Sequence, residues 1–153
     1  MKKPSAGIIL YRYRKGKLEV MLVHPGGPFW KNKDEGAWSI PKGLVHDGED
    51  PMDAARREFE EECGVEPEME LVDLGEADQS GKKRVHAYAA EGDLDPSGIR
   101  SNTFEMEWPK GSGDVEEFPE VDRAEWFTIT DAEEKILNGQ VVFIERLWSF
   151  LER

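Results

Sequence analysis

The chain reads as an α/β protein, with a mixed β-sheet between helices. Three features predict this. Two apolar runs near the N-terminus read as successive strands, the centre holds a well-capped helix, and Val141 to Leu151 repeats apolar residues at helical spacing.

Ser5 to Arg14 is the first expected strand, with Ile8, Leu10 and less cleanly Tyr11 as its apolar positions. Gly16 turns it into a second strand, Leu18 to Val23. His24 to Gly36 is a loop rich in Gly, Pro and Lys, and Trp38-Ser-Ile-Pro-Lys-Gly43 leads on towards the central helix. There Asp50 suits the N-cap, Pro51 the first helical position, and Asp53 the acid of a capping box. Gly64 supplies a left-handed stop, and Pro67 forbids continuation. Met52, Ala55, Phe59 and Cys63 share one stripe and are the expected core contact. Arg56 and Glu60 are expected to pair on the solvent side.

Beyond the helix, Glu70 to Leu74 and Arg84 to Ala90 read as strands, with a turn at Ser80-Gly81. Thr103 to Trp108 alternates Phe104, Met106 and Trp108 with polar residues, the pattern of a half-buried strand. Pro109 to Pro119 is expected to be a loop, and Ala124 to Phe127 a short strand. Thr130 or Asp131 is the expected cap of a helix running to Leu137 and ended by Gly139. The last helix, Val141 to Leu151, offers Val142, Ile144, Leu147, Trp148 and Leu151 to the core.

At 153 residues the chain has the size of one domain (residues 1–153), and five Trp and seven Phe argue for a packed core rather than disorder. A net charge of -13 disfavours nonspecific binding to nucleic acid or to an anionic membrane. The apolar run Gly7 to Tyr11 is too short for a signal peptide, and nothing approaches a membrane-spanning length. A lone cysteine, Cys63, permits no internal disulfide and suits a reducing cytoplasm, where it serves as a small core residue.

The chemistry concentrates in the central helix. Glu58, Glu61 and Glu62 stand three and four positions apart, so one flank of the helix presents all three carboxylates. Like charges held so close call for a cation between them, and hard oxygen ligands suit Mg²⁺, Mn²⁺ or Ca²⁺. The Asp-x-Asp-x-Asp-Gly pattern of a calcium-binding EF-hand is absent, which weakens the calcium reading. The three histidines, His24, His46 and His86, show no metal-ligand spacing and receive no role.

Gly43, Glu49, Arg57, Glu58, Glu61, Glu62 and Gly64, with apolar Phe59 and Val65, together resemble the Nudix hydrolase signature G-x5-E-x7-R-E-U-x-E-E-x-G-U, spanning residues 43–65. At average residue usage a chance match is on the order of 10⁻⁸ to 10⁻⁹ per starting position. An incidental acidic surface helix would explain the glutamates, but not Gly43, Arg57 and Gly64 at their spacings. The resemblance implies an α/β/α sandwich and hydrolysis of a phosphoanhydride bond with Mg²⁺, Mn²⁺ being a possible substitute. It makes Glu58, Glu61 and Glu62 metal ligands, joined by the Gly43 carbonyl, with Glu58 and Glu61 counted as catalytic. Arg57 and Glu49 support the cluster, and Gly64 ends the helix. Glu120, just before the closing strand, is the candidate general base, with Glu116, Glu117 and a glutamate of the signature itself as rivals. Lys42, Lys33 and Arg84 are candidate phosphate contacts, and Trp30, Trp38 or Trp108 could stack a base.

Trp38-Ser-Ile-Pro-Lys-Gly43 is similar to a stretch found in family members acting on dinucleoside polyphosphates and inositol pyrophosphates. A compound such as diadenosine tetraphosphate is therefore the leading substrate expectation. Modified nucleoside triphosphates come second. Inositol pyrophosphates come third, because they would favour a more basic pocket. A non-catalytic ligand sensor is the competing class, although such domains typically lose the glutamates this chain keeps. The partner expected is a small nucleotide rather than nucleic acid or membrane. The sequence leaves open whether the chain forms a homodimer.

Overall fold

A computed structural model describes residues 3–80 and 83–152 of the chain. Strand β1 (Lys3–Arg14) pairs antiparallel with β2 (Lys17–Pro25), and its other edge runs parallel to β5 (Lys83–Glu91). Strand β4 (Val72–Ser80) and strand β8 (Val121–Thr128) close the two edges in antiparallel register, giving the order β4-β5-β1-β2-β8. Strand β3 (Lys42–Leu44) pairs with β1 off this path, and β6 (Thr103–Glu107) and β7 (Val115–Pro119) form a separate antiparallel ribbon. One parallel pair among antiparallel ones makes the main sheet mixed, as expected.

Alternation along β1 builds two cores. Ile8 and Leu10 face one side, with Met21, Val23, and Ala54, Ala55, Phe59 and Cys63 of helix α1 (Pro51–Cys63). Ile9 and Tyr11 face the other, with Val20, Leu22, Trp38, and Phe143, Ile144 and Leu147 of helix α3 (Val141–Leu151). The short helix α2 (Ile129–Lys135) adds Ala132 to this second core. Helices thus cover both faces of the sheet, the layered arrangement the signature implied. Among the described residues, no helix is long and apolar enough to cross a membrane.

Several boundaries differ from expectation. Strand β3 and strand β7 were hidden in segments read as loops; short pieces of this kind form by pairing with distant partners rather than by their own pattern. Strand β4 extends to Ser80 and begins two residues later than expected, while Gly81 of the expected turn lies outside the described residues. Thr128, not Thr130 or Asp131, caps α2, its side chain accepting from the Asp131 amide, and α2 ends at Lys135. Gly139 instead lies in a single 3₁₀ turn, Asn138–Gln140. On α3, Phe143 takes the buried position expected of Trp148, which is 45% exposed. On α1, Ala54 joins the core while Met52 is only partly buried. Arg56 donates to the Pro67 carbonyl (2.7 Å) rather than pairing with Glu60.

Gln140, 0% exposed, ties that 3₁₀ turn to the strand-like segment before β3. Its Oε1 accepts from the Ile40 amide (3.0 Å), and its Nε2 donates to Ser39 Oγ (3.0 Å) and Gln79 Oε1 (2.8 Å). Gln140→Leu would strand those partners without a replacement. We expect it to cost about 2–3 kcal/mol and to lower the melting temperature by roughly 5–10 °C. Thermal unfolding followed by circular dichroism measures this; an unchanged transition would show that the bonds contribute nothing.

Candidate functional site

Helix α1 organises the site. Asp50 caps it, its side chain accepting from the Met52 amide (2.8 Å), and Gly64 ends it at φ 76° with its amide donating to the Glu60 carbonyl. The next segment seals the C-terminus: Arg100 N donates to the Cys63 carbonyl (3.1 Å) and Asn102 N to the Glu61 carbonyl (2.7 Å). A side chain on Gly64 would collide with the Arg100 backbone, so that closure adds a steric need to the conformational one.

Arg57 is the hub of the acidic flank. Its Nε and Nη2 grip both oxygens of Glu49 (3.0 Å each), its Nη1 donates to Glu61 (3.1 Å) and Glu58 (3.3 Å), and Nη2 also reaches the Leu44 carbonyl (2.8 Å). One guanidinium therefore sets the relative positions of three carboxylates and the end of β3. Hydrogen bonding to Arg57, then to the His46 amide, holds Glu49 down to about 2. Arg57 itself is raised, first by its bonds to Glu49.

Gly43 lies on β3 where the Glu58 carboxylate packs directly against it, so any Cβ there would overlap that carboxylate. The Lys42 amide donates to Glu62 Oε1 (3.2 Å). Burial is the main cause of the raised carboxyls here. It lifts Glu62 to about 8 against the opposing pull of Lys42, and Glu58 is raised by burial and then by Glu61. Glu120 is raised by burial and by the charge of Glu61, which places it in the same electrostatic neighbourhood. Burial lowers Lys42, with Glu62 opposing.

A cavity of about 420 Å³ opens beside these groups. Lys42, Glu62, Lys83 and Glu120 line it on the polar side, and Val23, Trp30 and Ala37 contribute apolar wall. Gly43, Glu58, Glu61 and Glu62 are thus gathered on one face, with Glu120 and Lys42 beside them. Lys33 and Arg84 do not line the cavity. Lys33 is exposed with its ammonium 5.2 Å from the Trp30 ring centre, and Arg84 is bound to Asp78 (3.2 Å) and lies near Glu76 (3.7 Å). Glu116 and Glu117 are exposed on β7.

Two contributors escaped the sequence reading. Lys83 directly precedes Arg84, and because successive strand residues face opposite sides, only one of the two can face the cavity. The alternation was visible, but not which phase of it faced inward. His24 is 1% exposed, with Nδ1 2.9 Å from Asp122 Oδ1 and Nε2 2.7 Å from the Lys33 carbonyl. It ties the loop after β2 to the start of β8. Its position at the end of a fully apolar run was the available signal.

The donors fit a hard divalent cation. Three carboxylates share one flank of α1, two of them are raised chiefly by burial, and one is pressed against the β3 backbone. Among the described residues, no three acidic, histidine or cysteine side chains already converge as a coordination cage. Arg57 Nη1 holds Glu58 and Glu61 together, so ligation asks Glu61, more exposed than Glu58, to turn away from it.

Gly43→Ala tests this packing. The new methyl must displace the Glu58 carboxylate, and we expect metal affinity to fall about 10–100-fold with little loss of helical signal. Calorimetric titration with Mn²⁺ reads it, and wild-type affinity would mean that Glu58 is not held by this contact.

The profile of the NUDIX domain matches residues 1–147. A solved Ap4A hydrolase from Caenorhabditis elegans, in a binary complex, is 25% identical and superposes with a TM-score of 0.67, covering 97% of this chain and 98% of that one. The NUDIX domain of NrtR from Shewanella oneidensis, complexed with ADP ribose, gives a TM-score of 0.68 at 18% identity over 99% of this chain and 89% of that one, a likeness of fold. Among curated proteins, an asymmetrical bis(5'-nucleosyl)-tetraphosphatase from Caenorhabditis elegans is 38% identical over 65 residues, 42% of this chain and 43% of that protein. An RNA pyrophosphohydrolase from Roseobacter denitrificans is 42% identical over 57 residues, 35% of this chain and 36% of that protein. The chain thus matches less than half the length of these curated relatives. With the domain profile spanning nearly the whole chain and the signature's acids gathered on one helix flank, the chain belongs to the Nudix family.

Proposed function

We propose that this chain is a Mg²⁺-dependent pyrophosphohydrolase, with Mn²⁺ as a substitute, that cleaves a nucleoside diphosphate linked to a second moiety. A dinucleoside polyphosphate resembling diadenosine tetraphosphate is the substrate we favour. The observation that carries the reading is the Arg57-organised acid flank lying against a cavity whose polar side also holds two lysines. The likeness to the Ap4A hydrolase over nearly the full chain supports the substrate choice.

Glu58, Glu61 and Glu62, with the Gly43 carbonyl, hold the cation in this reading. The cation supplies Lewis acidity, neutralising charge that builds on the phosphoryl oxygens and easing deprotonation of a nearby water. Arg57, locked to Glu49, keeps the flank in place. Glu120, raised by burial and by Glu61, accepts the proton of the attacking water. Lys42 and Lys83 receive the phosphates, and together with the cation they offset the acids of the site in a chain of net charge -13. Lys33, exposed beside Trp30, and Arg84, engaged by Asp78 and Glu76, do not line the cavity and are left out of the contact set. The same net charge argues against RNA or DNA as substrate. The buried free thiol suits work in the cytoplasm.

A turnover panel of dinucleoside polyphosphates, normal and modified nucleoside triphosphates, and sugar nucleotides tests the reading, with Mg²⁺ and separately with Mn²⁺. We expect the dinucleoside polyphosphate to have the highest kcat/KM. Faster cleavage of a modified triphosphate would favour the house-cleaning alternative. No nucleotide released from any of them would remove hydrolysis of these substrates and leave a ligand sensor.

A further inference from the structure

We infer that Trp30 is the platform on which the substrate's nucleobase stacks, so that the cavity reads one nucleoside through an aromatic face. The inference rests on the nucleotide reading above and adds the group that recognises the base.

Three tryptophans were candidates, and the structure separates them. Trp38 is 1% exposed, sits in the core with its ring edge-on to His24 and Phe127, and donates its indole N–H to Asp34 (2.8 Å). Trp108 stands on the β6–β7 ribbon against Phe29, with ring centres 5.8 Å apart, and does not line the cavity. Trp30 does line it, and it is half-buried. Val23 and Ala37 add apolar lining, and Lys42, Lys83, Glu62 and Glu120 add charged lining to the same cavity. A nucleotide has the same two-ended character, an aromatic base joined to a polyanion. Placing its phosphates at the lysines and the acid flank leaves the apolar wall for the base.

Lys33 completes the arrangement. Its ammonium lies over the indole at 5.2 Å from the ring centre, at the end of an exposed, flexible stem. Lys33 itself does not line the cavity, so its exposed side chain leaves the Trp30 surface that does line it available to a base. The main chain beneath is held independently, because the Lys33 carbonyl accepts from His24 and the Lys33 amide donates to the Trp30 carbonyl (3.0 Å). The side chain can therefore move while the platform stays.

Calorimetric titration with ADP and with inorganic pyrophosphate, both with Mg²⁺, on wild type, Trp30→Ala and Trp30→Phe, tests this. Wild type should bind ADP more tightly than pyrophosphate. Trp30→Ala should weaken ADP about tenfold and leave pyrophosphate unchanged, and Trp30→Phe should retain most of the ADP affinity. Equal ADP affinity in wild type and Trp30→Ala, equal losses on both ligands, or no ADP binding by wild type would each overturn the inference. Turnover measured on the same preparations separates the two readings. ADP bound through Trp30 without hydrolysis of any nucleotide would remove the enzyme and keep the platform.

Discussion

Glu61→Gln is expected to lower turnover by on the order of 10²–10³-fold while the fold stays intact. The amide oxygen can still accept from Arg57 Nη1, so the 3.1 Å contact organising the flank survives, and what is lost is the negative charge offered to the cation. Glu61 also raises both Glu58 and Glu120, so removing its charge relieves repulsion, and the metal-free variant should melt no lower than wild type. Arg57→Ala should behave in the opposite way, leaving Glu49, Glu58 and Glu61 without their shared counter-charge and lowering both stability and activity. The measurement is kcat and KM against the melting curve for each variant. Turnover of Glu61→Gln within tenfold of wild type would take this residue out of the metal site.

The second large effect concerns pH in the absence of metal. Glu62 is raised to about 8 and Glu58 is raised as well, both chiefly by burial, so the folded chain keeps protons that the unfolded chain has already lost. Because the folded state then binds more protons, stability falls as pH climbs from the ordinary glutamate range towards 8. Glu49 has the opposite sign, contributing stability that disappears only as pH falls towards 2, below that window. In chelator, the protein should therefore be less stable at pH 8.5 than at pH 5.5 by roughly 2–4 kcal/mol, discounted for the solvent around Glu58. Saturating Mg²⁺ should close much of that gap, because a bound dication stabilises the ionised carboxylates. Urea unfolding at the two pH values, with and without Mg²⁺, reads all four points. Stability that is flat or rising between them in chelator would sink the claim that burial keeps these acids protonated in the folded chain.

What the sequence made legible is what short-range chemistry determines. Asp50, Pro51 and Gly64 bound α1 where capping rules put them, and the order of strands and helices pointed to a sheet between helices, although only the structure showed Ile8 and Leu10 buried on one face and Ile9 and Tyr11 on the other. The spacing of Glu58, Glu61 and Glu62 was enough to place them on one flank. What escaped depends on partners far away in the chain. Strand β3 exists because β1 offers an edge to it, and β7 because β6 does. Gln140 is buried because its partners lie at Ile40, Ser39 and Gln79, and His24 because Asp122 and Lys33 bracket it. Lys83 and Arg84 were equivalent as letters, and only the phase of β5 told them apart.

Three main-chain bonds run in series through the site: Asn102 N to the Glu61 carbonyl, Glu120 N to the Asn102 carbonyl, and Gly26 N to the Glu120 carbonyl. They lash Glu120 to the acidic helix on one side and to the aromatic loop on the other, using atoms no side-chain substitution removes. The β6–β7 ribbon departs at residue 103 and returns at residue 119, just inside these moorings. Its outer end meets the aromatic loop through Trp108 against Phe29, ring centres 5.8 Å apart, whereas Glu120 is anchored by main-chain bonds of its own. Shortening the turn at residues 109–114 should therefore disturb that ring contact before it disturbs the main-chain moorings of Glu120, the proton acceptor we propose.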